Sequence, residues 1–134
     1  MGNSLTAALL RPKERDVQDA IVAALRFAGF HVMHTSAFRQ KGPSGVSKGV
    51  PDLLVSIDGF PYWFIGIEVK RPGRIKWSCP EQEENARMNR VLVVQSVHAA
   101  LGGVIGAVSA YFDHAAVGAV IDRAERALTG LSVD

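Results

Sequence analysis

Two carboxylates and a lysine stand at the ends of two apolar segments near the middle of the chain. Asp52 precedes the apolar run 53–57, and Glu68 and Lys70 follow the run 62–67. Charged side chains are rarely buried without partners. Their position at the ends of core strands therefore indicates that these three residues contact one another or a common ligand. Because side chains alternate along a strand, Glu68 and Lys70 leave the same face. This chemistry fits a hard divalent cation, Mg²⁺ or Mn²⁺, held by two carboxylates with an ammonium beside it.

A turn between the two runs would bring the carboxylates together. Asp58-Gly59 lies between them and is a strong short turn signal. If the runs pair as an antiparallel hairpin, Asp52 comes alongside the Glu68 end of the partner strand. We therefore predict that Asp52, Glu68 and Lys70 form one cluster. The structural alternative is an ion-pair cluster at a sheet edge, with no catalytic role.

A helix before the hairpin carries a further acid. It is predicted to start around residues 11–16 and to stop at Gly29. Its core-facing stripe follows helical spacing and consists of Val17, Ile21, Ala24, Leu25 and Ala28. Glu14 lies on the first turn of that stripe. It is either a surface acid that complements the helix dipole or a member of the site.

Further elements follow from local signals. Residues 30–36 indicate a short strand, and residues 91–94 indicate a buried one. A capping box with Ser78 at the N-cap and Glu81 three residues later predicts a helix with Gln82 in its first turn. Asp113 is suited to cap a last helix that ends at Gly130.

Basic residues surround the acidic centre. Residues 37–80 hold seven Lys or Arg against three acids, a charge balance that suits a phosphodiester substrate. Trp77 could stack on an unpaired base or pack under its loop. The loops 37–49 and 71–77 could equally be ordinary surface connections. We predict that nucleic acid is contacted by Arg39, Lys41, Lys48, Arg71, Arg74, Lys76 and Trp77.

Length and composition predict one globular domain. The chain has 134 residues, 48% of them hydrophobic, which suffices for one sheet with flanking helices. Cys79 is the only cysteine, so no internal disulfide can form and a reducing compartment is expected. Residues 1–10 do not have the pattern of a signal peptide. Residues 91–112 carry no formal charge, but polar residues interrupt them, so we interpret them as core and expect a cytoplasmic protein that does not span a membrane.

Pro51-Asp52, followed after fifteen residues by Glu68-Val69-Lys70, resembles the core motif of the PD-(D/E)xK nucleases. The wider strings at 49–54, 67–73 and 80–82 resemble the VRR-NUC family of that superfamily, whose stand-alone phage and bacterial members are similar to Holliday junction resolvases. The resemblance covers about residues 13–96. It implies an α/β, restriction-endonuclease-like core with a central mixed sheet of about four strands flanked by helices, and residues 97–134 as a helical C-terminal extension.

The resemblance also implies an activity and roles. The expected activity is metal-dependent, structure-selective endonuclease cleavage of DNA, such as Holliday junctions, in a bacterial or phage-infected cell. Asp52, Glu68 and the carbonyl of Val69 would hold Mg²⁺ or Mn²⁺, and Glu14 would hold a second metal ion or a metal-bound water. Lys70 would orient the attacking water or counter the developing negative charge, and Gln82 would position water or phosphate. The competing expectation is a catalytically silent nucleic-acid-binding or scaffolding protein with the same fold.

Small residues in the C-terminal part suggest a contact between copies. Gly102, Gly103, Gly106 and Ala110 would let another helix approach closely, and the face is apolar. Because resolvase-like nucleases act in pairs, we expect a homodimer. Packing within one chain is the alternative.

Overall fold

The computed structural model describes residues 13–35 and 50–131, which form four helices and a four-stranded sheet. In chain order the elements are α1 (Glu14–Phe27), β1 (His31–His34), β2 (Leu53–Ser56), β3 (Ile65–Val69), α2 (Pro80–Met88), β4 (Leu92–Val94), α3 (Val97–Tyr111) and α4 (His114–Thr129). The predicted α/β class is confirmed. The predicted loop 37–49, with Arg39, Lys41 and Lys48, lies outside the described residues.

The sheet has the strand order β1-β2-β3-β4 and is mixed, as predicted. β2 is antiparallel to both β1 and β3, whereas β4 runs parallel to β3. A parallel neighbour requires a crossover connection, and residues 70–91 with α2 supply it. The pairing of Leu53 with Ile67 and of Val55 with Ile65 confirms the predicted antiparallel hairpin.

The hairpin loop is longer than the sequence pattern predicts. A turn does form at Asp58-Gly59, where the Phe60 amide donates to the Ile57 carbonyl at 3.2 Å and Gly59 has a φ of +86°. However, the predicted strand over 62–64 is wrong, because β3 begins only at Ile65. Tyr62 has a φ of +68° and is 98% exposed, so the chain makes a second turn there instead of extending.

One hydrophobic core lies between the sheet and three helices. From α1 it receives Val17, Ile21, Val22 and Leu25, and from the sheet Leu53, Val55, Ile67 and Val69. The predicted stripe of α1 is thus confirmed, with Ala24 only partly buried. Gly29 follows the C-cap Ala28 with a φ of +100°, the left-handed conformation that glycine adopts most easily at a helix end.

The C-terminal helices belong to the same core as residues 13–96. α3 and α4 bury Leu101, Val104, Val108, Val117, Ile121 and Ala124 there. The predicted helical tail is confirmed, and its last helix has Gly130 as its C-cap. Asp113 occupies the N-cap, but its side chain makes no capping hydrogen bond; its carbonyl accepts from the Ala116 amide. Within the described ranges, none of the helices combines the length and apolarity that crossing a membrane requires.

The four small residues of α3 divide between two surroundings. A Cβ added at Gly103 would lie 3.1 Å from the Leu92 side chain, so this glycine serves packing within the chain. At Gly102 and Gly106 an added Cβ would meet nothing within 4 Å, and Ala110 is exposed. The first observation fits the intramolecular alternative, and the other three residues leave a surface of small side chains.

Candidate active site

The end of β3 places an acid and a base side by side. Glu68 and Lys70 alternate with the buried Val69 and leave the same face of the sheet, as predicted. The Lys70 ammonium lies 3.5 Å from Glu68 Oε1, and the two residues are only 6% and 4% exposed. The Lys70 amide donates to the Val94 carbonyl at 2.9 Å, so hydrogen bonding to β4 extends past the last residue of β3. The pair is therefore held at the junction of two parallel strands.

Asp52 reaches the same strand end from the neighbouring strand. Its Oδ2 accepts a hydrogen bond from the Val69 amide at 2.8 Å. The register that pairs Leu53 with Ile67 would, one step further, set Asp52 opposite Glu68. The negative charge of Asp52 also raises the pKa of Glu68, which is consistent with the two carboxylates lying close together. The structure thus brings together the three residues that the sequence places at the ends of two apolar runs.

Contacts of the Pro51-Asp52 backbone hold this carboxylate in place. The buried Thr35 hydroxyl donates to the Pro51 carbonyl, and the Thr35 amide donates to the Asp52 carbonyl at 3.1 Å. Gly66 lies beneath Pro51, and an added Cβ there would stand 2.9 Å from the proline Cγ. Neither Thr35 nor Gly66 was predicted to support the site. A threonine at the end of a predicted strand and a glycine within another are weak signals, although a glycine in a strand does suggest a close approach of backbone.

We expect Gly66→Ala to destabilise the protein and weaken metal binding. The new methyl group must displace the rigid Pro51 ring, because 2.9 Å is too short for a carbon–carbon contact. Overpacking of this kind costs roughly 1–3 kcal/mol, and any shift of Pro51 moves Asp52 with it. Urea unfolding and calorimetric Mg²⁺ titration measure the two effects.

Gly118→Ala is the matched control for this substitution. It adds the same methyl group on α4, where the nearest atom, at 3.2 Å, belongs to the exposed His114 ring, which can move aside, and where alanine is favoured over glycine by up to about 1 kcal/mol. It should therefore raise the free energy of unfolding and leave Mg²⁺ binding unchanged. Equal effects of the two substitutions would contradict the packing role of Gly66.

Gln82 connects the acid and the base. Its Nε2 donates to Glu68 Oε1 at 3.2 Å, while its Oε1 lies 3.4 Å from the Lys70 ammonium and accepts from the Ser78 amide at 3.0 Å. The predicted N-cap of α2 is wrong by one residue: Cys79 is the N-cap and makes no side-chain capping bond. Because Gln82 is the third residue of α2, its side chain can reach back past the helix start, and it does so in place of Glu81.

Burial raises the pKa of Glu68. Its pKa rises from 4.5 to about 7, chiefly because the carboxylate is desolvated and secondly because Asp52 is negatively charged; Lys70 opposes the rise, and Glu14 adds slightly to it. The ammonium of Lys70 therefore does not fully compensate the buried negative charge. A cation placed between Asp52 and Glu68 would relieve both contributions that raise this pKa.

The oxygen atoms at this end of the sheet could bind an ion such as Mg²⁺, which takes few ligands from the protein and keeps several waters. Among residues 13–35 and 50–131, no three side chains of the His, Cys, Asp and Glu type gather closely enough to hold a metal. Asp52 and Glu68 would supply two carboxylates and Val69 a carbonyl, with water at the other positions, which is how Mg²⁺ is commonly bound. Glu14 is exposed and lies at the rim, where it could contact the ion through water.

A basic cavity opens directly beside this cluster. It has a volume of about 780 Å³ and is lined by Glu14, Lys70, Arg71, Pro72, Gly73, Arg74 and Lys76. Three of the seven residues predicted to contact nucleic acid thus line one cavity with the two predicted site residues Glu14 and Lys70. Trp77 lies beside them with its ring centroid 4.6 Å from the Lys70 ammonium, so in this structure it packs on Lys70.

Gln95 shapes the basic loop and was not predicted to belong to the site. Its Nε2 donates to the carbonyls of Arg71 and Gly73, at 2.9 and 2.6 Å. The loop that follows Lys70 is thereby attached to the end of β4. No local sequence signal indicates this contact, because Gln95 is 22 residues or more from its partners.

These features define an α/β protein whose mixed sheet carries a buried Glu–Lys pair and a second carboxylate at one end, next to a basic cavity. Comparisons of the chain with protein-family models, with curated proteins and with solved structures gave no match.

Proposed function

We propose that the chain is a metal-dependent endonuclease that hydrolyses DNA phosphodiester bonds, with a preference for branched DNA such as four-way junctions. The observation that carries the proposal is the buried Glu68–Lys70 pair beside Asp52, at the wall of a cavity lined by arginine and lysine. The resemblance of residues 49–54, 67–73 and 80–82 to VRR-NUC nucleases supports the same activity and the choice of branched substrates.

Hydrolysis requires an oriented water, neutralised charge at phosphorus and a stabilised leaving oxygen. A bound Mg²⁺ or Mn²⁺ supplies Lewis acidity and lowers the pKa of water. Asp52 and Glu68 would hold that ion. Lys70, which lies beside Glu68 and Gln82, would place its ammonium near the attacking water and the developing negative charge. As the water oxygen bonds to phosphorus and releases a proton to solvent, the bond to the leaving oxygen breaks, and that oxygen takes up a proton from solvent.

Incubation with branched and linear DNA, with and without Mg²⁺ or Mn²⁺, tests the proposal. Cleavage that depends on the metal and is faster on branched DNA is the expected result. Tight binding without cleavage would instead identify a catalytically silent nucleic-acid-binding or scaffolding protein. The cytoplasm of a bacterial or phage-infected cell, where such DNA is repaired or recombined, is the compartment that the proposal implies.

The basic loop should bind phosphates. Neutralising Arg71, Arg74 and Lys76 to glutamine is expected to weaken DNA binding and to lower the slope of log affinity against log salt by roughly 0.7–0.9 for each phosphate that the variant no longer neutralises. Fluorescence anisotropy over a salt series measures both quantities. Arg126→Gln is the control, because this exposed arginine lies on α4 beside Phe27, at the far end of α1 from Glu14.

If the triple variant has the same slope of log affinity against log salt as the wild type, these three residues do not contact DNA phosphates. The same neutralisation of Arg39, Lys41 and Lys48 tests the second basic segment, which the sequence alone assigns to DNA.

Pairing of two copies through α3 is part of the proposal. The open surface at Gly102, Gly106 and Ala110 supports it, since a second helix could approach closely there. Light scattering at micromolar concentration should give twice the 14.4 kDa mass of one chain. A monomer would refute the pairing, and Gly106→Leu should convert a dimer to a monomer.

A further inference from the structure

The indole of Trp77 covers one side of the Lys70 ammonium. The Lys70 Nζ stands 4.6 Å from the centroid of the ring, within the range of a cation–π contact. We propose that Trp77 is a positioning residue that acts on the reaction through Lys70, and that it does not serve as a stacking platform for a base. This inference rests on the proposed nuclease function, because only then does the orientation of Lys70 govern a rate.

The other contacts of the ammonium are too long to orient it alone. Its oxygen partners are Gln82 Oε1 at 3.4 Å and Glu68 Oε1 at 3.5 Å, both at the outer limit for a hydrogen bond. A lysine ammonium has three donor hydrogens on a flexible stem, so two long contacts leave it free to rotate and shift. The ring adds a further contact at 4.6 Å, which restricts this movement. The lysine side chain is 7% exposed, and a cation–π contact is stronger when the cation is shielded from water.

Anchors on both sides of Trp77 hold the ring in this position. Before it, the loop is bound at Arg71 and Gly73 by the Gln95 side chain. After it, the Ser78 amide donates to Gln82 Oε1 at 3.0 Å, the same oxygen that faces Lys70. Gln82 thus ties the backbone next to Trp77 to the lysine that the ring covers. The backbone beside Trp77 and the ammonium are therefore linked through one side chain, that of Gln82.

The two roles of Trp77 predict different kinetic effects. A stacked base would gain from any large ring, so replacing the ring would weaken DNA binding. A positioning role through Lys70 changes the cleavage step and leaves the affinity for DNA almost unchanged. It also depends on the negative potential of the ring face, which fluorine atoms on the indole withdraw with little change in size.

A fluorotryptophan series separates these roles. The chain has two tryptophans, so the series is made in a Trp63→Phe background, which keeps an aromatic ring against Tyr111 and Phe112. With mono-, di- and trifluorinated Trp77, the single-turnover cleavage rate at saturating DNA and Mg²⁺ should fall stepwise, by roughly tenfold in total. The Kd for DNA should stay within twofold. A cleavage rate that does not change with fluorination, or a Kd that rises with it, would overturn the inference. Metal-dependent cleavage by the wild type would still support the proposed function.

A second measurement is independent of activity. The ring current of Trp77 should shift the ε-methylene proton resonances of Lys70 upfield in the intact protein, and Trp77→Leu should return them to ordinary lysine values. The resonances are assigned by their loss in Lys70→Ala. An unshifted signal in the wild type would overturn the contact itself. A shifted signal in a wild type that cuts no DNA would refute the proposed function, and with it any catalytic role of this contact.

Discussion

Asp52→Asn should lower metal-dependent DNA cleavage by at least about a hundredfold, and Lys70→Ala should do the same. Asparagine keeps the size of the side chain and an oxygen that can accept from the Val69 amide, but it removes one of the two negative charges that attract the ion. Alanine at position 70 removes the ammonium near the phosphate, and removal of one preorganised group of this kind costs about 10²–10³ in rate. Single-turnover cleavage of a branched DNA at saturating Mg²⁺ measures both effects.

The controls separate chemistry from folding. Asp58→Asn makes the same chemical change at a side chain that is 96% exposed in the hairpin loop, at the opposite end of β2 from Asp52, and should cleave like the wild type. Lys70→Ala leaves Glu68 buried without its cation, so a loss of stability is expected as well. Lys70→Met removes the same cation but keeps the apolar stem, so it should lose less stability than Lys70→Ala and be equally inactive. Undiminished cleavage by Asp52→Asn would contradict the metal site.

Without metal, the free energy of unfolding should fall by about 3 kcal/mol between pH 4.5 and 7 because of Glu68 alone. The pKa of its carboxyl is about 7 in the folded chain and 4.5 as the ordinary value. Between these values the unfolded chain loses the proton while the folded chain keeps it, so the folded state becomes relatively less stable as pH rises. From about one pH unit above the folded pKa both states are ionised, and the penalty stays constant. Urea unfolding at intervals of half a pH unit measures this slope.

Glu68→Gln should remove this slope and the response to metal together. Glutamine cannot ionise, so the stability of the variant should not fall between pH 4.5 and 7. In the wild type, Mg²⁺ should raise the Tm at pH 8 and much less at pH 5.5, because a protonated Glu68 binds the ion poorly. Glu84 is an exposed glutamate on α2, so Glu84→Gln is the matched control and should behave as the wild type. If the free energy of unfolding of Glu68→Gln still falls with pH, groups other than Glu68 cause the slope.

Local patterns in the chain were sufficient to predict the framework of the site. The spacing of Val17, Ile21 and Leu25 specified the buried face of α1, because a helix repeats every 3.6 residues. Strand alternation placed Glu68 and Lys70 on one face, and the Asp58-Gly59 turn implied the antiparallel pairing that carries Asp52 to the same end. These properties depend on neighbours in sequence, which is why they could be predicted.

Only the tertiary structure decided how the site is supported. Thr35 beneath Asp52, Pro51 against Gly66, Gln95 on the basic loop and Trp77 over Lys70 each depend on contacts that packing, not local pattern, creates. The late start of β3 and the shift of the α2 N-cap from Ser78 to Cys79 have the same origin, since the local signals were outweighed by the geometry around them. The raised pKa of Glu68 likewise follows from burial and from Asp52 nearby, and neither is a property of the residue or of its neighbours in the sequence.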